Sequence, residues 1–321
     1  MKKILKYIKF ILKYILRNVD INRMEYNYNK IIMKLKEKDK IKVAFFVVHD
    51  SVWQYDDVYK LMLKNDEFDP IIIIVPYNIY GKENMITDMD KAYKYFMDNK
   101  YSVVKTYNKK SNKYLDVYKE INPDMIFFTN PHKLTENQYY IDYWYDKVLT
   151  CYAPYSLEIS KLYQLQFNQK FHNIIWKYYN ITEIHKDLSI EYAQNKGKNV
   201  VITGYPECDV LLDKKYSPKN IWKKQSKEKK KIIWTPHQSI EDNEKELGFS
   251  CFFKYHQVML DVAKKYEDKI QIAFKPHPLL KIKLYNHSNW GRNKTNLYYE
   301  KWEKMSNTQV ETSQYIDLFL T

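Results

Sequence analysis

Two histidines stand where a parallel α/β sheet would use them. The stretch Lys231-Ile-Ile-Trp-Thr-Pro-His237-Gln-Ser239 runs an apolar segment into a Pro-His corner, and Ile270-Gln-Ile-Ala-Phe-Lys275-Pro-His277-Pro278 repeats the arrangement. Proline has no N–H to give a sheet ladder, so each strand stops there and the next side chain is an imidazole. Imidazole acts as a general base near neutral pH or donates to an anionic oxygen. Ser239 and Lys275 lie beside the pair and add a hydroxyl and a cation, both suited to phosphate. His237 and His277 are therefore the catalytic candidates, with Lys275 and Ser239 as phosphate-binding candidates. The competing reading makes them loop histidines with a structural role only.

Five glycines in 321 residues exclude a P-loop or a GxGxxG turn. A bound phosphate must then be met by helix N-termini and cationic side chains. The eight histidines are scattered without HxH or HExxH spacing, so no metal site and no cofactor is expected. Cys151, Cys208 and Cys251 show no CxxC spacing and point to a reducing cytosol.

The elements that must position this pair alternate as strand and helix. Apolar runs at 42–48 (KVAFFVV), 70–75 (PIIIIV), 101–105, 125–129 (MIFFT) and 147–152 (KVLTCY) predict strands, with a further one at 200–203 ending at Gly204. Helices are expected at 52–64, 85–99 and 113–121, and residues 156–195 read as mostly helical with a short strand near 174–178. After a lysine-rich stretch come a strand at 231–235, a helix at 252–266, a strand at 270–275, a polar stretch, a helix at 297–305 and a short strand near 308–311. Such alternation predicts an α/β fold with two Rossmann-type domains and mainly parallel sheets. The expected layout is a helix and connector at 1–40, a first domain at 41–212, a linker at 213–230 and a second domain at 231–321. That second domain stops mid-pattern, with the apolar residues 315–321 uncapped, and is expected to be incomplete.

Ligand crevices of parallel sheets open at the strand carboxyl ends. In the first domain those ends carry His49-Asp-Ser-Val-Trp53, Asn130-Pro-His132 and Tyr152-Ala-Pro-Tyr155. His49, Asn130 and Tyr152 are expected to line a cleft if the two domains face each other, against the plainer reading of loop and edge-of-core residues.

The net charge of +14 is concentrated in two places: residues 2–17 hold five lysines and Arg17, and residues 214–231 hold nine lysines and Glu228. On a helical wheel Ile4, Ile8, Ile11 and Ile15 share one side of the first segment, while Lys2, Lys6, Lys9, Lys13 and Arg17 cover the other. Six cations exclude a membrane span, and no signal-peptide cleavage pattern follows. The expectation is a helix lying in an anionic membrane surface, with a helix docked on its own domain as the alternative. The second lysine run lacks interleaved aromatics beyond Trp222, so a solvated linker or a second lipid contact is expected rather than nucleic-acid binding.

Several of these pieces together resemble the CDP-glycerol:poly(glycerophosphate) glycerophosphotransferase family, the teichoic-acid-type and capsule polymerases. The matching residues are His49 to Trp53 through Tyr59, Phe127 to Pro131, Cys151 to Tyr155, Thr203 to Pro206, Trp234 to Ser239 and Phe274 to Pro278. The resemblance runs from about residue 41 onward and implies a GT-B-like pair of Rossmann domains, acceptor side first and donor side second. It implies attack by a hydroxyl of a lipid-linked polymer on the β-phosphorus of CDP-glycerol, releasing CMP, at the inner face of the cell membrane. His237 and His277 would then supply a base and charge stabilisation, and Lys275 a cationic clamp. There are two departures. The region after the fifth strand reads CYAPY without the histidine of the better-known branch. The Ser-Asp…Asp-x-x-Ser segment of relatives would begin where this chain stops, so a truncated chain or a reduced donor site is expected. A glycosyltransferase using a nucleotide sugar and an inactive membrane-associated remnant are the other readings.

Overall fold

A computed structural model describes residues 21–158, 160–218, 220–241 and 248–311. The chain divides into two compact units, Met1–Lys214 and Lys215–Thr321. The membrane-surface expectation for residues 1–17 and the apolar run at 315–321 lie outside the described residues. Among the described residues, no helix is long and apolar enough to cross a membrane.

The first unit is built on a seven-stranded sheet. Its strands are β1 (Ile41–Val47), β2 (Phe68–Ile74), β3 (Val103–Lys105), β6 (Met125–Phe128), β7 (Leu149–Tyr152), β8 (Lys177–Asn180) and β9 (Val200–Ile202), while β4 (Tyr107–Asn108) and β5 (Lys113–Tyr114) form a separate hairpin. The order is β3-β2-β1-β6-β7-β8-β9, and every pair in that sheet is parallel. The chain winds outward from β1 through β2 to β3, then returns to the other side of β1 and winds outward again. The reversal falls between β1 and β6, and its carboxyl side is where such sheets hold ligands. Val43 to Val47 are all but inaccessible, as two covered faces require.

Aromatic packing fills this core. Phe45 stacks on Phe127 at 5.0 Å, and Trp53 meets Phe45 edge-on at 5.4 Å. Trp53 is therefore a core residue. The Tyr55 hydroxyl donates to the Phe128 carbonyl at 2.8 Å and accepts the Ala153 N–H at 2.7 Å, so one phenol ties the ends of β6 and β7 together.

Residues 18–40, expected to continue polar and helical as a connector, carry the helix α1 (Ile21–Leu35), which docks on the sheet. Met24 and Tyr28, one turn apart, are buried. The Tyr28 hydroxyl bonds Thr150 Oγ1 at 2.9 Å and also donates to the Ile174 carbonyl. The loop that follows is fixed by Asp124, which takes the Lys38 ammonium at 2.5 Å on one oxygen and the Lys42 N–H at 3.0 Å on the other.

Four sequence expectations shift. The helix expected at 113–121 is the second hairpin strand β5 followed by the single turn α4 (Val117–Glu120), the helices before it being α2 (Asp56–Leu63) and α3 (Lys82–Asp98). Turn chemistry decides this: Asn108 Oδ1 accepts the N–H groups of Lys110 and Ser111, and Asn112 sits at φ 54°. The helix expected from 52 starts at Asp56, behind a 3₁₀ turn over Asp50–Val52. The strand placed near 174–178 is displaced to Lys177–Asn180. The stretch 156–195 holds only three short helices, α6 (Tyr163–Phe167), α7 (Lys170–Ile174) and α8 (Glu183–Tyr192), the last two separated by β8; the turn α5 (Ile141–Trp144) precedes β7 and the turn α9 (Asp209–Leu212) follows β9.

The second unit carries three parallel strands in the order β10 (Lys230–Trp234), β11 (Ile270–Phe274), β12 (Thr308–Val310). Its helices are α10 (Phe252–Lys265), α11 (Leu280–Asn286) and α12 (Gly291–Lys304). Helix α11 was not expected in the polar stretch, yet Leu280 and Leu284 four residues apart are fully buried. Phe274 stacks on Trp234 at 5.1 Å and on Trp302 at 5.2 Å. Trp302 is 0% exposed, so Trp302→Ala is expected to cost about 3–5 kcal/mol. A loss under about 1 kcal/mol in denaturant unfolding would contradict that packing.

Residues 221–225, placed in a solvated linker from sequence, are strapped onto this unit. Trp222 packs beside Ala273, and the Lys223 ammonium donates to the Met305 and Glu303 carbonyls at 2.7 and 3.3 Å, at the carboxyl end of α12. The charge run concealed a helix cap.

Candidate functional site

The second unit brings the two Pro-His corners together. Beyond the last paired residues Trp234 and Phe274, the ladder continues into the corners. Lys275 N–H donates to the Trp234 carbonyl at 2.9 Å, and His277 N–H to the Pro236 carbonyl at 3.1 Å. The imidazoles of His237 and His277 end with ring centroids 5.1 Å apart at 66°.

Each ring is held by its own turn. His237 Nδ1 accepts the Ser239 N–H at 3.1 Å, and His277 Nδ1 accepts the Leu279 N–H at 3.1 Å. A nitrogen that accepts an N–H carries its lone pair there, which assigns the proton of each neutral ring to Nε2. Ser239 Oγ lies 2.7 Å from His237 Nδ1 and accepts the Phe249 N–H at 3.1 Å, so its hydroxyl proton also points at Nδ1. Ser239 is 4% exposed. It orients His237 and is too enclosed to be a primary ligand for phosphate. His287 makes the same turn with the Asn289 N–H at 3.2 Å, but packs on Phe253 instead of a second imidazole. The turn is ordinary; the pairing of two such rings is not.

Two lysines stand on the elements that carry the pair, Lys275 directly after β11 and Lys283 on α11. Partial burial pushes the Lys275 ammonium down, with Glu311 opposing. Lys283 on α11 is likewise lowered by partial burial, with Glu241 opposing. His237 is open to solvent on one side. Partial desolvation of its ring, and then the Lys283 charge, hold it below the usual imidazole range. Two Nε2–H donors with the Lys283 ammonium near His237 suit an anion at the carboxyl edge of β10 and β11, where Lys275 follows in the chain.

The first-unit residues fare differently. His49 follows β1 with its ring against Tyr77 at 4.8 Å; its Nε2 is buried without a partner among the described residues, and burial pushes its pKa down to about 4. Asn130 spends its Oδ1 on the His132 N–H at 2.7 Å, an Asx turn. Tyr152 is 1% exposed, stacks on Tyr178 at 5.6 Å and meets Phe171 edge-on. Its ring belongs to the core and lines no surface.

Sequence reasoning missed two residues. Lys283 hid in a stretch without an obvious helical pattern. Glu158 follows β7, and burial pushes its carboxyl up to about 8, with the Tyr178 hydroxyl donating to it at 2.6 Å. No spacing signalled it; only the buried tyrosine identifies it.

No known protein family and no curated protein matches the chain. Solved structures do. A UDP-GlcNAc 2-epimerase from Neisseria meningitidis bound to UDP-GlcNAc is 15% identical with a TM-score of 0.44, covering 88% of this chain and 74% of that one. The S. aureus MnaA-UDP structure is 12% identical with a TM-score of 0.48, covering 87% and 70%. A glycosyltransferase from Rickettsia africae is 13% identical with a TM-score of 0.37, covering 88% and 71%. Likeness at this level carries no argument. The strand pairings themselves make the chain an α/β protein with two Rossmann-like parallel sheets, as its strand pattern predicts.

Proposed function

We propose that this chain is a transferase acting on a nucleotide-diphosphate donor. His237 and His277 donate from Nε2 to phosphate oxygens, while Lys275 and Lys283 neutralise them. The observation that carries this reading is the paired imidazoles at 5.1 Å, each with its Nδ1 engaged by a backbone N–H. Of the two roles that the sequence left open, base and donor to phosphate, that assignment favours the donor role for both histidines.

The resemblance of the two Pro-His motifs supports CDP-glycerol as the donor. An acceptor hydroxyl would bond to the β-phosphorus and pass its proton to solvent. The bond from that phosphorus to the bridging oxygen would break, and CMP would leave with the electron pair. The acceptor would be a lipid-linked cell-surface polymer, of teichoic-acid or capsule type, met at the inner membrane surface. A second reading, glycosyl transfer from a nucleotide sugar, is supported by the same cluster because its donors and cations address the diphosphate that both donors share.

Parallel incubations with CDP-glycerol and with UDP-sugars, each with lipid-linked acceptor, separate them. Acceptor-dependent CMP release is expected; acceptor-dependent UDP release would establish the second reading instead. If neither nucleotide is released and neither donor binds, the transferase reading fails.

A further inference from the structure

The amino edge of the first unit's sheet, opposite to the edge where parallel sheets hold substrates, carries a groove of about 410 Å³. One wall is α1; the other is the chain entering β6 and β7, at Asp124 and Val148. We propose that this groove binds the phosphate headgroup of an anionic phospholipid.

Charge is the first argument. Four lysines line the groove: Lys30 and Lys34 from α1, Lys38 from the loop after it, and Lys147 before β7. Two of them are balanced in place, Lys38 by Asp124 at 2.5 Å and Lys147 by Asp146 at 3.4 Å. Lys30 and Lys34, one turn apart on α1, have no ion pair or hydrogen bond with any described residue, and both are exposed. They leave a local surplus of two positive charges facing a cavity large enough for a headgroup. The buried Met24 and Tyr28 seat α1 from its other flank, so this lysine face is held at a fixed angle to the sheet.

Chain continuity is the second argument. Arg17, the last cation of the segmentally charged stretch 2–17, is four residues from Ile21 at the start of α1. Four residues span at most about 14 Å, and Lys30 lies about 14 Å further along a helix rising 1.5 Å per residue. Any anionic surface engaged by residues 2–17 is therefore within reach of this groove. Neither argument uses the proposed transfer chemistry.

The test is partition of the full-length chain onto vesicles of phosphatidylglycerol and phosphatidylcholine, together with binding of short-chain, non-micellar phosphatidylglycerol in solution. The double variant Lys30→Ala/Lys34→Ala is expected to lose about 25-fold in partition, roughly fivefold per lysine. It should also lose binding of the short-chain lipid, with an unchanged melting temperature. Lys109→Ala/Lys110→Ala, on the β4–β5 turn, should stay within about twofold of the parent protein. Unchanged partition of the groove variant, or an equal loss in the hairpin variant, overturns the site. Inorganic phosphate binding that depends on Lys30 and Lys34 while vesicle partition does not would assign the groove to a free anion and overturn the lipid.

Discussion

Replacing His277 with alanine is expected to lower the single-turnover rate of nucleotide release by roughly 10²- to 10³-fold, whereas His277→Gln retains a substantial part of it. The size follows from removing one preorganised donor to a phosphate oxygen whose charge grows in the transition state. The difference between the two variants follows from the tautomer. With Nδ1 accepting the Leu279 N–H, the outward group of His277 is an Nε2–H, and a glutamine amide offers an N–H at similar reach. A general base has no such substitute. If glutamine is as damaging as alanine while both proteins keep their melting temperature and donor affinity, the donor assignment is wrong and a base must be restored. The acidic side of the rate profile offers a second check. His237 is held below its ordinary range by partial desolvation and Lys283, so no acidic decline centred at or above about 6.5 should belong to it.

Acidification below about pH 6.5 is expected to weaken the first unit through His172. This residue is 1% exposed, and neither ring nitrogen has a hydrogen-bond partner among the described residues. Its ring lies 5.2 Å from that of Tyr178 and 5.6 Å from that of Phe171. Burial, with the nearby His132 adding to it, pushes the His172 pKa down to about 3. The unfolded chain protonates near 6.5. Between those values the unfolded state binds a proton that the folded state refuses. Stability is thus full above about 6.5 and is lost progressively as pH falls toward 3. At pH 4 the loss from this one group is about 3 kcal/mol. His172→Phe should flatten the fall in unfolding free energy between pH 6.5 and 4 by close to one proton. An unchanged slope would mean that the imidazole is hydrated in the native state.

The strands at 41–47, 68–74, 125–128, 230–234 and 270–274 were legible because a buried parallel strand is an uninterrupted apolar run. Proline made the two corners legible, since it ends a ladder wherever it stands. What the pattern concealed depends on distant partners. Leu280 and Leu284 mark α11 only once a core exists to receive them, so Lys283, carried on that helix, stayed invisible. Tyr152 ends a strand like a cleft residue, but side chains alternate across a strand and its ring points into the core among Phe171 and Tyr178. The role of Lys223 was hidden by eight neighbouring lysines of the same run, which composition cannot rank. The nitrogen that bears the histidine proton follows from backbone geometry and could not be read from spacing at all.

The anchoring of α1 by Tyr28 also sets a schedule. Its hydroxyl meets Thr150 and Ile174, which are 122 and 146 residues downstream. At ribosomal rates of 5–20 residues per second, Tyr28 waits roughly 7 to 30 s for the second of them to be made. Through that interval α1 lacks the hydrogen-bond partners that hold it. Helix α1 is thus made well before the part of the first unit that seats it, and its docking waits on β7 and α7.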